Sequence, residues 1–333
     1  MTTERKLDRH MGKPEYFALN AWLFKILSGL LIFSPIFRGG NLPLPLLVVF
    51  TLALALMTLV LWYPEQLHKI PTGPKVLSLL TLIVIGLNLV PVPESLWLTL
   101  SGRNLYTEAL QLVGSDHSNW RTISILPNYT QEAWLRMLTM VAVFSATCYL
   151  SPDQIKRLVF TVIIIASCES VLGLMQYGAG AKTVLRFGYT STADAVGTYA
   201  NRDHLAGFLA MILPVLMGII AVDLGTDSSK SRSSRHRKRR DFWVSAQGQR
   251  VVFMGLIMVL ITLCIVFTRS RAGILLAMLG LFISMLAFAW RLGGSNIYGP
   301  AGSIVAIIAI LAAEIGLFPV LDRFSVDPMQ DLR

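Results

Sequence analysis

The strongest constraint on this chain is a succession of apolar runs, each close to the length of a membrane crossing and separated by short polar segments. About 20 apolar residues at about 1.5 Å of helical rise match the ~30 Å hydrocarbon layer, and a single water-soluble core cannot absorb so many such runs. Composition agrees, with 54% hydrophobic and only 14% charged residues in 333. The chain is therefore read as an all-α polytopic membrane protein. Its candidate spans are 17–37, 43–63, 75–93, 131–150, 157–177, 204–223, 251–268, 272–290 and 301–320, nine helices in all. Cys148, Cys168 and Cys264 each fall inside an apolar run, which gives neither a disulfide framework nor metal-ligand spacing. No metal and no redox cofactor is expected.

The formal charge of +10 is read first as topology. Residues 1–16 form a basic tail carrying Arg5, Lys6, Arg9 and Lys13, and no small-residue cleavage site follows the first run. A retained signal anchor is expected. With the N-terminus in the cytoplasm, 17 of the 29 Lys and Arg residues fall on the cytoplasmic side, 11 on the other, and Lys25 within the first span. That bias predicts a cytoplasmic N-terminus and an exterior C-terminus. The cytoplasmic loop 224–250 holds S-S-K-S-R-S-S-R-H-R-K-R-R, a topology anchor that also attracts anionic lipid headgroups. It lacks interleaved aromatics and a folded module, so nucleic acid is set aside as a partner. The transmembrane domain covers 17–320, with exterior loops at 94–130 and 178–203 and the start of another exterior segment at 321–333.

Two polar clusters stand at helix entrances on the exterior side. One is G-T-Y-A-N-R-D-H-L-A-G-F at 197–208, the other T-R-S-R-A-G at 268–273. A helix start presents free backbone N–H groups and a positive dipole end, and a neighbouring Arg adds a planar fork for phosphate oxygens. Arg202, Arg269 and Arg271 are therefore candidate ligands of an anion, with Lys182 and Arg186 nearby. Asn201 and Ser270 are placed to cap the two helices, and Gly207 and Gly273 to permit close approach of a helix or a ligand. If those helices are neighbours, both entrances converge on one diphosphate. The alternative for each arginine is an interfacial side chain on lipid phosphates.

Asp203 and His204 are the adjacent acid–base pair beside this cluster, and either can deprotonate an acceptor hydroxyl. Consecutive helical residues point about 100° apart, so both cannot face one atom. A helix-end role for His204 stays open. Inside the spans, Glu169, Glu314 and Arg136 stand out, all in the outer half of the membrane by about 1.5 Å of rise per residue. Such charges pair with one another or face a polar cavity. A structural Glu–Arg pair and a role in substrate binding or proton transfer are both open. No nucleotide-binding loop, dinucleotide fingerprint, zinc-protease motif or nucleophile elbow is present, which suits a donor already activated by diphosphate.

These two clusters, followed by D-R-F-S-V-D-P-M-Q-D-L-R at 322–333, resemble the O-antigen ligase and polymerase family of bacterial inner-membrane glycosyltransferases. The likeness covers mainly 160–333. It implies a GT-C-like helical architecture and metal-independent transfer of a glycan from undecaprenyl diphosphate to an acceptor hydroxyl on the periplasmic face. The acceptor would be a lipid A core sugar, a growing polysaccharide or a protein side chain. It also implies that Arg202 and Arg271 hold the diphosphate, with Arg323 and Arg333 at the mouth of the following loop. Members of the family usually continue into a large periplasmic loop with an important His, and this sequence ends at Arg333. A fragment, a degenerate member and a chain completed by a partner are all compatible with that ending. Two rivals remain: a polysaccharide or lipid transporter, motivated by Glu169 and Glu314, and a non-catalytic membrane subunit of a polysaccharide assembly complex.

Overall fold

A computed structural model describes residues 14–38, 42–112, 114, 119–187, 193–225 and 244–292. Most of the N-terminal tail, the basic run, the ninth expected span, Glu314, Arg323 and Arg333 lie outside the described residues. The helices are α1 Pro14–Ile36, α2 Pro43–Trp62, α3 Thr72–Leu87, α4 Glu94–Trp97, α5 Arg103–Leu112, α6 Pro127–Tyr149, α7 Pro152–Ala179, α8 Arg202–Gly225, α9 Ala246–Phe267 and α10 Arg271–Leu292. Strands β1, Pro91–Pro93, and β2, Trp120–Thr122, form a two-stranded antiparallel sheet, with α4 and α5 between them in sequence. Six described helices are long and apolar enough to cross a membrane: Ala18–Ile36, Pro43–Trp62, Pro152–Ala179, Arg202–Leu224, Ala246–Phe267 and Arg271–Phe288. The architecture is that of an all-α polytopic membrane protein with a small two-stranded sheet added.

One expected span is corrected, and a second is helical as expected without being among the six. The segment expected at 75–93 is helical over only 16 residues, Thr72–Leu87. Asn88 donates its side-chain amide to the Val84 carbonyl at 2.8 Å, and Pro91, which has no N–H to continue a helix, opens β1 instead. The segment expected at 131–150 is α6, starting at Pro127, but Glu132 and Arg136 lower the apolarity of its first half and it is not among the six.

The chain divides into two compact units, residues 1–33 with 43–157, and 34–42 with 158–333. In the first, Val49, Ala53, Leu56 and Val60 of α2 recur at helical spacing and are buried, and α6 packs on both α2 and α3. The Tyr149 hydroxyl donates to the Val60 carbonyl at 3.2 Å and the Trp134 indole to the Leu82 carbonyl at 3.0 Å, fixing α6 against both neighbours. Arg136 pairs with Glu132 one turn away on its own helix, at 2.7 Å. This partner is a glutamate of the same helix and not one singled out from the sequence.

In the second unit α8 is central, with α9 and α10 packed on it. Leu205, Leu209, Leu213 and Leu216 of α8 bury against Ile261, Cys264 and Ile265 of α9 and Ile274, Ala277 and Leu281 of α10. Lipid tails are as apolar as leucine, so close contact at small residues rather than apolar burial selects this arrangement. A Cβ on Gly273 would lie 2.3 Å from the Ala206 Cβ, and one on Gly280 3.1 Å from Pro214. Gly173 likewise admits Cys264 from α9, whose sulfur would lie 3.0 Å from an added Cβ. Gly207, the other glycine expected at a close approach, faces open space.

Candidate functional site: an arginine pair on a buried aspartate

The segment between α7 and α8 is built from the inside outward by buried polar side chains. Gln176, fully buried near the end of α7, accepts the backbone N–H groups of Val196 at 3.3 Å and Gly197 at 2.8 Å. Its amide nitrogen lies within hydrogen-bond distance of the Gly197 and Leu185 carbonyls, at 2.7 and 3.0 Å. Gln176 thus substitutes for the strand neighbour that this loop lacks, because buried backbone groups need partners. Arg186, 2% exposed, donates to the carbonyls of Gly180, Gln176 and Asp194 at 3.1, 3.3 and 2.9 Å. Expected among the anion ligands, it instead closes the loop on itself.

Glu169 holds the other side of the segment. One of its carboxyl oxygens accepts the Thr198 N–H at 2.9 Å and the other lies 2.6 Å from the Thr198 hydroxyl, which is also 2.5 Å from the Pro35 carbonyl. Gly197 has φ +59, and a Cβ there would lie 2.2 Å from Glu169, so the turn requires glycine on both counts. Residue 38 pairs with residue 199 in an isolated bridge, bringing the end of α1 onto the same segment. Burial pushes the Tyr199 phenol above its ordinary range, so it stays neutral.

Asp194 is where the two sequence clusters meet. It is 3% exposed. Arg202, the first residue of α8, approaches one carboxylate oxygen at 2.5 Å, and Arg269, in the turn between α9 and α10, approaches the other at 3.8 Å. The Ala195 N–H donates to the Phe267 carbonyl at 3.1 Å, tying this loop to the end of α9. Arg269 has φ +54, a left-handed conformation that is uncommon for a residue with a Cβ and that aims its side chain toward Asp194. Both expected caps form: the Asn201 side chain accepts the Asp203 N–H at 3.0 Å, and the Ser270 hydroxyl accepts the Gly273 N–H at 3.0 Å. The entrances of α8 and α10 therefore lie side by side, and the ends of α1, α7 and α9 are at the same end of this unit.

Within the trio, two guanidiniums face one carboxylate, leaving net positive charge. Arg202 is 26% and Arg269 44% exposed, so Asp194 holds each from behind while part of each fork faces outward. Asp203 and His204 are exposed on the first turn of α8, and Lys182 is exposed on the loop. Arg271 is half-buried at the start of α10. Asp194, Gln176 and Thr198 were not singled out from the sequence. Asp194 did carry a signal, as the one acidic residue between 178 and 201, a stretch holding Lys182 and Arg186 and bordered by Arg202.

Comparisons with protein-family models, curated proteins and solved structures give no match for this chain. Fold and site together define a polytopic helical membrane protein with a buried aspartate anchoring two arginines at adjoining helix entrances.

Proposed function

We propose that this end of the second unit binds the diphosphate of an undecaprenyl-diphosphate-linked saccharide and that the protein transfers the glycan to an acceptor hydroxyl, in the manner of the O-antigen ligase and polymerase family it resembles. The reading includes nine spans in a GT-C-like arrangement, a bacterial inner membrane, a cytoplasmic N-terminus and a periplasmic site. One observation carries it. Arg202 and Arg269 come from different sequence clusters and are held on one buried carboxylate at neighbouring helix starts. Such an arrangement favours an anion through guanidinium forks and helix dipoles together.

In the reaction the acceptor oxygen attacks the anomeric carbon, the bond from that carbon to the phosphate oxygen breaks, and the lipid diphosphate leaves with the electron pair. Arg202 and Arg269, with Arg271 beside them, stabilise the charge that grows on the departing diphosphate. The acceptor proton passes to His204 or Asp203, both solvent-accessible on α8. The test is transfer from a purified undecaprenyl-diphosphate oligosaccharide to an acceptor glycan by the reconstituted full chain, scored by the new glycosidic bond. Arg202→Ala and Arg271→Ala are each expected to lower the rate about 100-fold or more with membrane insertion unchanged. Wild-type rates in both variants would remove the site.

A transporter reading predicts flux without a covalent product, stopped by neutralising Glu169 and Glu314. The carboxyl of Glu169 is engaged at both oxygens by Thr198, which suits a fixed structural strut better than a site that must open and close.

A further inference from the structure

We propose a second anion site, in the first unit, that takes a phosphomonoester between Arg103 and Arg121. It is independent of the glycosyltransferase reading.

The segment between α3 and α6 folds around Trp97, which is 1% exposed and donates its indole N–H to the Thr122 carbonyl at 2.8 Å. Two guanidiniums lie against its ring, Arg103 at 4.8 Å and Arg121 at 5.3 Å from the centroid. Arg103 begins the ten-residue helix α5 and is only 9% exposed. It donates one Nη to the Ile123 carbonyl at 2.5 Å, while its Nε and other Nη are buried without a hydrogen-bond partner. The Nε of Arg121 is in the same position, and its Nη2 meets Glu94 at 3.4 Å, long for a charge-assisted bond.

Two cations thus share one ring, only Arg121 meets a carboxylate, and among the described residues three of their buried donor atoms are unsatisfied. A buried unpaired donor costs about 1–3 kcal/mol and more when charged, so an acceptor is strongly favoured there. Cation–π contact with Trp97 offsets part of that cost but accepts no hydrogen bond. Three donors on two differently oriented guanidiniums match the three terminal oxygens of a phosphomonoester better than the two of a carboxylate. Glu94 is 32% exposed at the edge of the site, and its long contact marks the place where a phosphate oxygen replaces it. Leu105 and Trp120, 73% and 60% exposed, flank the arginines in sequence and suit this segment to the headgroup level of a bilayer.

The test uses the full chain in phosphatidylcholine nanodiscs. Thermal unfolding is followed during titration with inorganic phosphate, and separately with phosphatidic acid built into the discs. Wild type is expected to be stabilised by at least one of the two. Arg121→Ala should weaken that response about tenfold, as loss of a charge-assisted bond predicts, and Glu94→Gln should strengthen it by removing the competing carboxylate. Free phosphate can also meet Arg202 and Arg269, so the readout is the part of the response that Arg121→Ala removes, and Arg202→Ala should retain that part. A response to phosphatidic acid alone assigns the site to a lipid headgroup, and one to free phosphate assigns it to a soluble phosphomonoester. If Arg121→Ala does not fold, Glu94→Gln decides. No response to either probe, or wild-type affinity in Glu94→Gln, overturns the proposal.

Discussion

Arg202 and Arg269 meet a carboxylate that is itself buried, Asp194, whereas Arg103 and Arg121 share an indole ring, and Arg121 alone meets a partly exposed carboxylate, Glu94. In the first case the anion sits behind the cations and part of each guanidinium is left facing water. In the second the cations are sunk and their acid stands at the rim. A buried anchor fixes where positive charge points, while an exposed one can be exchanged for another anion. The same residue type therefore ends on a buried acid in one unit and keeps buried donors without acceptors in the other.

The largest effect expected from breaking this contrast is in Asp194→Ala. Removing one partner of a fully buried ion pair costs about 3–5 kcal/mol, and the partial exposure of both arginines places this substitution near the lower end, about 3 kcal/mol. Thermal unfolding in detergent measures it, and a shift too small to resolve would mean that Asp194 is not the anchor. Gly273→Ala comes next. It leaves every charge in place but forces α10 away from Ala206, an overpacking cost of about 2 kcal/mol, and should reduce transfer by separating Arg269 from Arg202.

Glu169→Gln should cost under about 1 kcal/mol. The Gln oxygen can accept the Thr198 N–H while its nitrogen donates to the Thr198 hydroxyl, which remains able to donate to Pro35. Thermal unfolding of Glu169→Gln beside Glu169→Ala checks this, and equal losses in the two would show that the carboxyl charge itself is required. Smallest is Glu94→Gln in the absence of anions, within about 0.5 kcal/mol by the same assay, because a long pair with a partly exposed acid contributes little.

The six long apolar helices were legible from run length alone, since each repeats the same match to the hydrocarbon layer. So were both caps, Asn201 and Ser270, whereas the nearness of α8 to α10 stood only as a condition until the structure supplied it. What the runs could not show was the polar interior of the loop before α8. Gln176 and Glu169 sit in an apolar helix, and their partners are backbone amides 20 to 29 residues away with no side-chain pattern to mark them. Arg186 was placed with the anion ligands because sequence spacing does not distinguish an arginine that faces outward from one that binds carbonyls. The short α3 was misjudged because apolar residues continue past Asn88 into a strand, where length counted more than Pro91 and Pro93.

The distance along the chain between Arg202 and Arg269 has a consequence for biogenesis. At the 5–20 residues per second typical of synthesis, Arg269 leaves the ribosome roughly 3–13 s after Arg202, so the second arginine for Asp194 becomes available only once α9 has been made. The charge balance at Asp194 is thus completed late, by a helix pair synthesised after the segment it locks.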